Sequence, residues 1–432
     1  MVAWVALAVI LMSHGTYLTP CVGAMRSGRR PRAIDLAGVS VVIFFDFGVL
    51  LEALGVAVPD PHMGAMFAGK ESSVIAAVLL VAAAPWLLRL GWRITAKQTA
   101  QNDIGLQLWS GAPRRWFYLV LGLVCAVCAL CPIAAFGAHP RLWESRALMG
   151  SLLGPFIIVL SLPMYLLAFY ARLRESRRGW GRVVMIGTAA ASVLATFCAG
   201  QRTLVLLPVL IVLLFGSRFT WRRWVAVGAL AGAFAAMLLP WFKYSAGETD
   251  SSATQLLAEV MEKDFYRGPE LVRAMGMASW FGTNTVAYPG AGYVYAGLFF
   301  VPRSWAPFKG GGTAQAFTAK VMQSDSQGLE WGFGISAISE AVLNFGLVAA
   351  PLVLVGYGVA AGWLESLAAR WVSLEVPLML AGLWVFGYHL PALLLNFGAM
   401  AVVGVICEKC FAMRVGNALA DTSSAAEEGA NL

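Results

Sequence analysis

The sequence predicts an all-α polytopic membrane protein with about eleven transmembrane helices and one large, partly helical external loop. The 432-residue chain is 59% hydrophobic and only 12% charged, whereas soluble domains are about 45–50% apolar and about 25% charged. The apolar residues also form long blocks of roughly 17–25 residues, the length at which a helix crosses a bilayer. A soluble globule, a coiled coil and a disordered chain are therefore excluded.

The apolar blocks define the order of the predicted spans. They lie at about 2–20, 34–57, 72–88, 116–135, 149–170, 183–199, 203–217, 224–241, 334–363, 376–391 and 394–410. We accordingly divide the chain into spans 1 to 8 over residues 1–241, a loop over 242–333 and spans 9 to 11 over 334–411. The polar tail over 412–432 has the composition of a disordered segment.

Basic residues are unevenly shared between the two sides of the predicted bundle. In a soluble protein a net charge of +8 would suggest a nucleic-acid partner. Most of the 31 Lys and Arg residues here fall in alternate connections, such as RSGRRPR after span 1 and ARLRESRRGWGR after span 5. Because cytoplasmic loops carry the positive excess, we predict an external N-terminus, a cytoplasmic C-terminus and no nucleic-acid partner.

The connection over 242–333 is too long to be a simple turn, and we place it on the outer face. Loops longer than about 15 residues are usually functional or disordered. The segment KDFYRGPELVRAM predicts an amphipathic helix, and the many aromatic residues argue against disorder. These residues are Tyr266, Trp280, Tyr288, Tyr293, Tyr295, Phe299, Phe300 and Trp305. We therefore expect the active surface to be external and built around this loop.

A group of cations falls on the predicted outer face. Arg202 lies in the tight turn between spans 6 and 7, and a single arginine at such a place usually snorkels to the interface. The other cations predicted on this face are mostly flanked by aromatic residues or prolines. They are Lys243, Arg267, Arg273, Arg303 and Lys309. Because guanidinium groups suit bidentate recognition of phosphate oxygens, the group predicts a site for a lipid-linked pyrophosphate.

A polar stripe opens span 9. Ser336, Glu340 and Asn344 are spaced i, i+4, i+8, so they share one face of a helix. A carboxylate at this depth is costly unless it is paired or hydrated, so we expect Glu340 to face the protein interior. It would serve there either as the structural partner of a buried side chain or as a general base toward an acceptor hydroxyl.

The remaining polar groups inside spans leave a transport function open. Asp46 and Glu52 in span 2 could mark a proton or ion path. His14 and His389 are lone histidines, which we expect to make hydrogen bonds between helices. The seven cysteines are read as small apolar residues. The sequence has no phosphate-binding GxxxxGK[ST] loop, no HExxH, no GxSxG and no evident divalent-metal ligands, so we predict action without a metal or cofactor.

The order of these motifs resembles the bacterial O-antigen polymerases (Wzy-type) and related oligosaccharide repeat-unit polymerases. The resemblance covers about residues 180–365, and the N-terminal half is similar only in hydropathy. It consists of an Arg in a Gly-x-Arg turn, a late Pro-Arg pair in a long external loop, and Glu-x-x-x-Asn-Phe-Gly in the next helix. The matching residues are Gly200, Arg202, Asp264, Arg267, Pro302, Arg303, Gly334, Glu340, Asn344, Phe345 and Gly346.

This resemblance implies a GT-C-like glycosyltransferase of the bacterial inner membrane with its active site at the periplasmic face. Such enzymes transfer a glycan from undecaprenyl pyrophosphate to a lipid-linked acceptor unit, and a chain-length regulator is a further partner to expect. Arg202, Arg267 and Arg303 would stabilise the leaving pyrophosphate. Glu340, or Asp264 or Glu270, would accept the proton of the acceptor hydroxyl. The other residues implied to bind substrate are Arg273, Lys243, Lys309, Asn344 and Tyr266.

Two other functions stay open at this point. A flippase or transporter for a lipid-linked glycan is favoured by Asp46 and Glu52, whereas the absence of an internal repeat and the long outer loop disfavour it. A ligase that moves finished glycan onto another acceptor would share the topology and the Arg-rich loop.

Overall fold

The computed structural model describes two parts of the chain together with a few isolated positions. It covers residues 2–27, 31–56, 63–95, 265–282, 284–298, 301–302, 304–309, 312–323, 333–368, 371 and 374–410, and positions 123, 183, 186–190 and 211. Regular structure in these residues is helical, with no β-strand among them. The predicted all-α class is therefore confirmed there. Spans 4 to 8, apart from the isolated positions, lie outside the described residues, as do Arg202, Lys243, Asp264 and Arg303.

The N-terminal part contains three long helical stretches. Helix α1 runs over Val2–Arg26. Helices α2 (Ala33–Val41) and α3 (Phe47–Ala53) are joined through a π-helical turn, Val42–Asp46, into one continuous stretch. A short 3-10 turn, Met66–Ala68, then leads into α4 (Glu71–Thr95).

The C-terminal part begins with short helices in the predicted loop and ends with longer ones. The loop helices are α5 (Gly268–Met277), α6 (Ala291–Gly297) and α7 (Thr313–Met322), with a 3-10 turn at Pro307–Lys309. Helices α8 (Ala337–Ala368) and α9 (Glu375–Trp384) follow. The chain then forms α10 (Leu390–Leu393), a π-helical turn (Leu394–Gly398) and α11 (Ala399–Cys410). The predicted amphipathic helix corresponds to α5, which has Pro269 in its first turn.

Within the part of the chain that the structure describes, four helices are long and apolar enough to cross a membrane: Val2–Ala24, Ala33–Ala53, Glu71–Thr95 and Ala337–Ala368. Many large side chains exposed on them are apolar, for example Met12, Leu79 and Leu352, as contact with lipid favours. The shorter apolar helices Glu375–Trp384 and Leu390–Ile406 coincide with the last two predicted spans. The length and composition of these helices thus support the membrane class, while the total of eleven spans and the GT-C arrangement stay predictions.

Helices α4 and α8 cross with their backbones in contact. A Cβ atom at Gly91 would clash with the carbonyl oxygen of Val355, and one at Gly358 would clash with that of Leu88. Helix association in lipid depends on close packing, which small residues at a crossing permit. The two glycines therefore set how near these two spans approach each other.

His14 and Asp46 join α1 to the π-helical turn in the centre of the bundle. Both side chains are buried, and His14 Nδ1 lies 2.8 and 2.9 Å from the two Asp46 carboxylate oxygens. His14 Nε2 lies 3.0 Å from the Val81 carbonyl oxygen in α4, to which it donates. His14 is therefore an interhelical hydrogen-bonding group, as expected, and Asp46 is its partner.

The two ends of the bundle differ in chemistry. At one end, Arg89 near the end of α4 pairs with Asp35 at the start of α2 through an Nη2–Oδ1 distance of 2.7 Å. At the other end of the α2–α3 stretch, Glu52 accepts a hydrogen bond from Tyr266 in the loop region. The loop helices therefore pack at the end opposite to Arg89.

Candidate functional site

Helix α8 is broken at Gly346 into two segments, which we name the half-helix (residues 337–345) and the long segment (residues 347–368). Gly346 has φ 82° and ψ −177°, a conformation that essentially only glycine adopts. The first N–H groups of the long segment bond outside their own helix, with Leu347 donating to the Ser279 carbonyl at 3.1 Å and Val348 to the Trp280 carbonyl at 3.0 Å. The loop therefore supplies hydrogen-bond acceptors for the first backbone N–H groups of the long segment.

The polar stripe predicted for span 9 lies on the half-helix. Every residue from Ile335 to Asn344 is buried. The loop helices α5, α6 and α7 all pack against α8, and specific hydrogen bonds join them to the half-helix. The three loop helices therefore pack around this short helix, and it carries the candidate site.

Asn344 ties two loop helices to the half-helix. Its Oδ1 accepts the Gly292 N–H of α6 at 2.8 Å, and its Nδ2 donates to Thr313 Oγ1 of α7 at 3.0 Å and to the Glu340 carbonyl at 2.8 Å. A Cβ atom at Gly292 would clash with Thr313 Oγ1. The side-chain amide of Asn344, which was predicted to bind substrate, thus forms hydrogen bonds that hold the loop helices in place.

Glu340 is fully buried and faces the protein interior, as predicted. Its Oε2 accepts a hydrogen bond from the Leu390 N–H at 2.6 Å and lies 3.4 Å from the Tyr357 hydroxyl. Its Oε1 accepts a longer hydrogen bond from Thr313 Oγ1 at 3.5 Å. Leu390 is the first residue of α10, so the carboxylate caps that helix. These contacts fit the structural role that the sequence left open, and the general-base role stays a prediction.

Arg267 lies at the N-terminal boundary of α5 and is nearly buried. Its backbone N–H donates to the Phe44 carbonyl of the π-helical turn at 2.8 Å, and Nη1 donates to the Gly334 carbonyl at 3.2 Å. A Cβ atom at Gly334 would lie 2.8 Å from Nη2. The guanidinium therefore rests against the backbone that leads into the half-helix, and Gly334 itself is exposed.

Glu270, in the first turn of α5, meets the N-terminus of the half-helix. Its Oε1 accepts the Ser336 N–H at 2.9 Å and the Ser339 hydroxyl at 2.8 Å. Its Oε2 is buried and has no hydrogen-bond partner among the described residues. Burial raises the pKa of Glu270 to about 7, although the positive charge of Arg267 and the hydrogen bonds from the two serines act to lower it. Near neutral pH this carboxyl group can therefore either hold or accept a proton.

Tyr266 is buried at the boundary between the loop and the α2–α3 stretch. Its hydroxyl donates to Glu52 Oε2 at 2.6 Å, and its ring lies where a Cβ atom at Gly48 would be. Glu52 also accepts the backbone N–H groups of Met66 at 3.1 Å and Phe67 at 2.8 Å. In this structure Glu52, which the sequence offered as part of an ion path, holds the loop in place.

Two further cations of the predicted group, Lys309 and Arg273, lie among the described residues. The Lys309 ammonium group is nearly buried and donates to the carbonyls of Leu298 at 3.2 Å and Val301 at 2.7 Å. Arg273 is exposed on α5. Both residues were predicted to bind substrate, and that role stays a prediction.

The structure therefore brings Arg267 and Glu270 of the α5 region against the start of the half-helix, which carries Glu340 and Asn344. Sequence reasoning missed the part played by Tyr357, whose hydroxyl lies 3.1 Å from that of Tyr293 and 3.4 Å from Glu340. No pattern in the sequence signals this contact, because it joins the loop to a residue of the long segment, on the other side of the break at Gly346. Within the described residues, no group of three or more His, Cys, Asp or Glu side chains is arranged to hold a metal ion.

Comparison with known proteins gives no relative from which to transfer a function. The chain matches no family model, no curated protein sequence and no solved structure. Function must accordingly be argued from the arrangement of the site.

Proposed function

We propose that this protein is a membrane glycosyltransferase that polymerises lipid-linked oligosaccharide repeat units at the outer face of the bacterial inner membrane. One observation supports the proposal above the others. Residues of the resembling motifs that are far apart in sequence meet at one buried half-helix, where Arg267 contacts Gly334 and where Glu340 and Asn344 lie. Convergence of this kind is expected if the motifs form one site.

The proposed reaction transfers a glycan from undecaprenyl pyrophosphate to a hydroxyl group of a lipid-linked acceptor. The acceptor oxygen forms a bond to the anomeric carbon while the bond from that carbon to the pyrophosphate oxygen breaks. The pyrophosphate departs with the bonding electrons, and cations such as Arg267, together with the predicted Arg202 and Arg303, stabilise its added charge. The acceptor proton passes to a carboxylate of the enzyme.

Among the three carboxylates expected to take this proton, Glu270 is our first choice. Its pKa of about 7 suits a general base at neutral pH, and its buried Oε2 has no hydrogen-bond partner among the described residues. Both oxygens of Glu340, in contrast, accept hydrogen bonds from the fold. Asp264 lies outside the described residues.

The placement of the site also supports the proposed outer face. Arg89 and Asp35 pair at one end of the bundle, and the half-helix packs with the loop at the opposite end. Because arginine-rich helix ends face the cytoplasm in most membrane proteins, the site would face away from it. A donor with its pyrophosphate in the outer headgroup region could reach that position.

The test is the glycan chain-length profile of cells that carry Arg267→Ala or Glu270→Gln in place of the wild-type protein. Both variants should lose the long chains at unchanged protein level, because one lacks charge stabilisation and the other lacks the base. Lys320→Ala, which removes an exposed lysine of α7, should retain the wild-type profile. Wild-type profiles in both site variants would refute the proposal.

Purified protein in liposomes separates the polymerase from the other two functions. Lengthening of a lipid-linked oligosaccharide supports a polymerase, and translocation without lengthening identifies a carrier. Transfer of a finished glycan to a different acceptor, again without lengthening, identifies a ligase.

A further inference from the structure

The turn formed by residues 279–282, which fills the break at Gly346, exposes two large aromatic side chains. Trp280 is 69% exposed and Phe281 is 81% exposed. Exposed aromatic residues on this scale usually mark an interaction surface rather than a solvated loop. The turn is held firmly, because Ser279 bonds back to Gly282 through both its N–H and its hydroxyl at 2.8 Å.

The position of the turn relative to the membrane is set by the long segment. The carbonyls of Ser279 and Trp280 accept the N–H groups of Leu347 and Val348. The turn therefore lies at the first residues of a segment that is about 33 Å long at 1.5 Å per residue, enough to cross the hydrocarbon core of about 30 Å.

The apolar surface of the turn continues that of the span beside it. Val348 and Leu352, in the first turns of the long segment, are 44% and 70% exposed and apolar. Helix α5, which leads into the turn, ends near the start of α4, where a Cβ atom at Gly276 would lie 3.8 Å from Ser73 Oγ. The start of α4 is polar and exposed at Lys70 and Glu71, so this level of the bundle is where lipid gives way to water.

We infer that the 279–282 turn is a bilayer anchor, in which Trp280 and Phe281 insert at the boundary between headgroups and acyl chains. Tryptophan is suited to this boundary, because its ring is buried while its indole N–H stays hydrated, and phenylalanine is suited to the adjoining acyl chains. A bound sugar is less consistent with the turn, because the Ser279 side chain and the carbonyls of Ser279 and Trp280 are already bonded within the protein.

The anchor would set the depth of the half-helix. The half-helix, about 13 Å long at 1.5 Å per residue, folds back beside the long segment, because Glu340 lies 3.4 Å from the hydroxyl of Tyr357, which follows the break at Gly346. With the turn at the boundary, Arg267 and Glu270 would lie deeper than the turn, toward the middle of the bundle, since the Arg267 N–H donates to the Phe44 carbonyl of the π-helical turn. This inference does not depend on the proposed glycan chemistry.

The experiment measures the environment of position 281 in reconstituted protein. A nitroxide is attached to Phe281→Cys in a variant without the seven native cysteines, and its collisions with oxygen and with a water-soluble nickel complex are compared by electron paramagnetic resonance. Leu352→Cys provides the lipid-facing reference, and Arg273→Cys provides the exposed reference on α5. The ratio of oxygen to nickel collisions at 281 should be several-fold above that at 273.

A ratio at 281 equal to that at 273 would overturn the inference. A nickel-accessible label that becomes protected only when lipid-linked oligosaccharide is added would overturn it as well, and would identify the turn as a sugar-binding surface.

A second measurement uses the unmodified protein, in case the cysteine-free variant does not fold. Phospholipids that carry a photoactivatable diazirine in the upper acyl chain should label the peptide containing Trp280 and Phe281. Labelling of the Leu352 peptide without any labelling of the 280–281 peptide would reject the anchor.

Discussion

Gly91 and Gly358 form a reciprocal contact between α4 and α8, in which each glycine faces a backbone carbonyl of the other helix. Gly91 meets the carbonyl of Val355, and Gly358 meets that of Leu88. A side chain at either position has no space, because the obstructing atoms belong to the backbone and cannot rotate away. The crossing therefore depends on two residues that hydropathy alone treats as neutral.

Gly358→Ala should accordingly destabilise the protein, because the two helices must separate to admit the Cβ atom. We expect a loss of about 1–3 kcal/mol, typical of overpacking, observed as a lower midpoint of thermal unfolding followed by tryptophan fluorescence in detergent. Gly356→Ala is the matched control on the same helix, because its Cβ atom would have nothing within 4 Å. Equal midpoints for the two variants would contradict the proposed contact.

Glu270 should make the stability of the protein depend on pH. Burial raises the pKa of Glu270 from 4.5 to about 7, so folding favours the protonated carboxyl group. This contribution to stability is fully present below pH 4.5 and is lost as the pH rises through about 7, with a total on the order of 3 kcal/mol.

Glu270→Gln should flatten that dependence, because the amide does not ionise. The measurement is the free energy of unfolding between about pH 4.5 and 8 in wild type and variant. Glu71→Gln, which removes an exposed carboxylate of α4, should leave the slope of the wild type unchanged. An identical slope in Glu270→Gln would show that Glu270 is not the group responsible.

Asn344→Ala should loosen the loop while the membrane helices remain intact. The substitution leaves the Gly292 N–H and the Thr313 hydroxyl without the amide that both contact, and a lost buried partner costs about 1–3 kcal/mol. Hydrogen exchange should become faster in peptides covering α6 and α7 and stay slow in α4. Asn396→Ala provides a control, because Asn396 Oδ1 accepts no hydrogen bond within the described part of the chain. An unchanged rate of hydrogen exchange in α6 would show that Asn344 does not hold α6 in place.

His14 and Asp46 should be energetically coupled. Asp46→Ala leaves His14 Nδ1 buried without its carboxylate partner, and His14→Ala leaves the Asp46 carboxylate buried without its ring nitrogen. Each single variant should therefore lose on the order of 3 kcal/mol. The double alanine variant should lose clearly less than the sum of the two, and Asp46→Asn should stay near wild type because an amide can still donate to the ring nitrogen. Additive losses, measured from unfolding midpoints, would show that the pair does not act as a unit.

The positions of the described spans were predictable because the bilayer demands a minimum length of apolar helix. Val2–Ala24, Ala33–Ala53, Glu71–Thr95 and Ala337–Ala368 all coincide with predicted blocks. The break at Gly346 was not predictable from the block itself, since a glycine within an apolar run looks the same whether the helix continues or stops. The break depends on Ser279 and Trp280, which are distant in the sequence.

The candidate site was predictable in part for a similar reason. The i, i+4 spacing correctly placed Glu340 and Asn344 on one buried face. It could not assign their hydrogen bonds, because the Leu390 N–H and the Gly292 N–H come from other elements. The unsatisfied oxygen of Glu270 likewise follows only from how α5 meets the half-helix.

The discontinuity at Gly346 has a mechanical consequence. A continuous helix would transmit any tilt of its membrane-spanning part to the residues that precede it, so a thinner or thicker bilayer, to which spans respond by tilting, would displace Asn344 from its loop partners. Here the ladder of backbone hydrogen bonds stops at Gly346 and resumes on the carbonyls of the loop. The long segment can lean to match its lipids while Asn344 keeps its partners in α6 and α7.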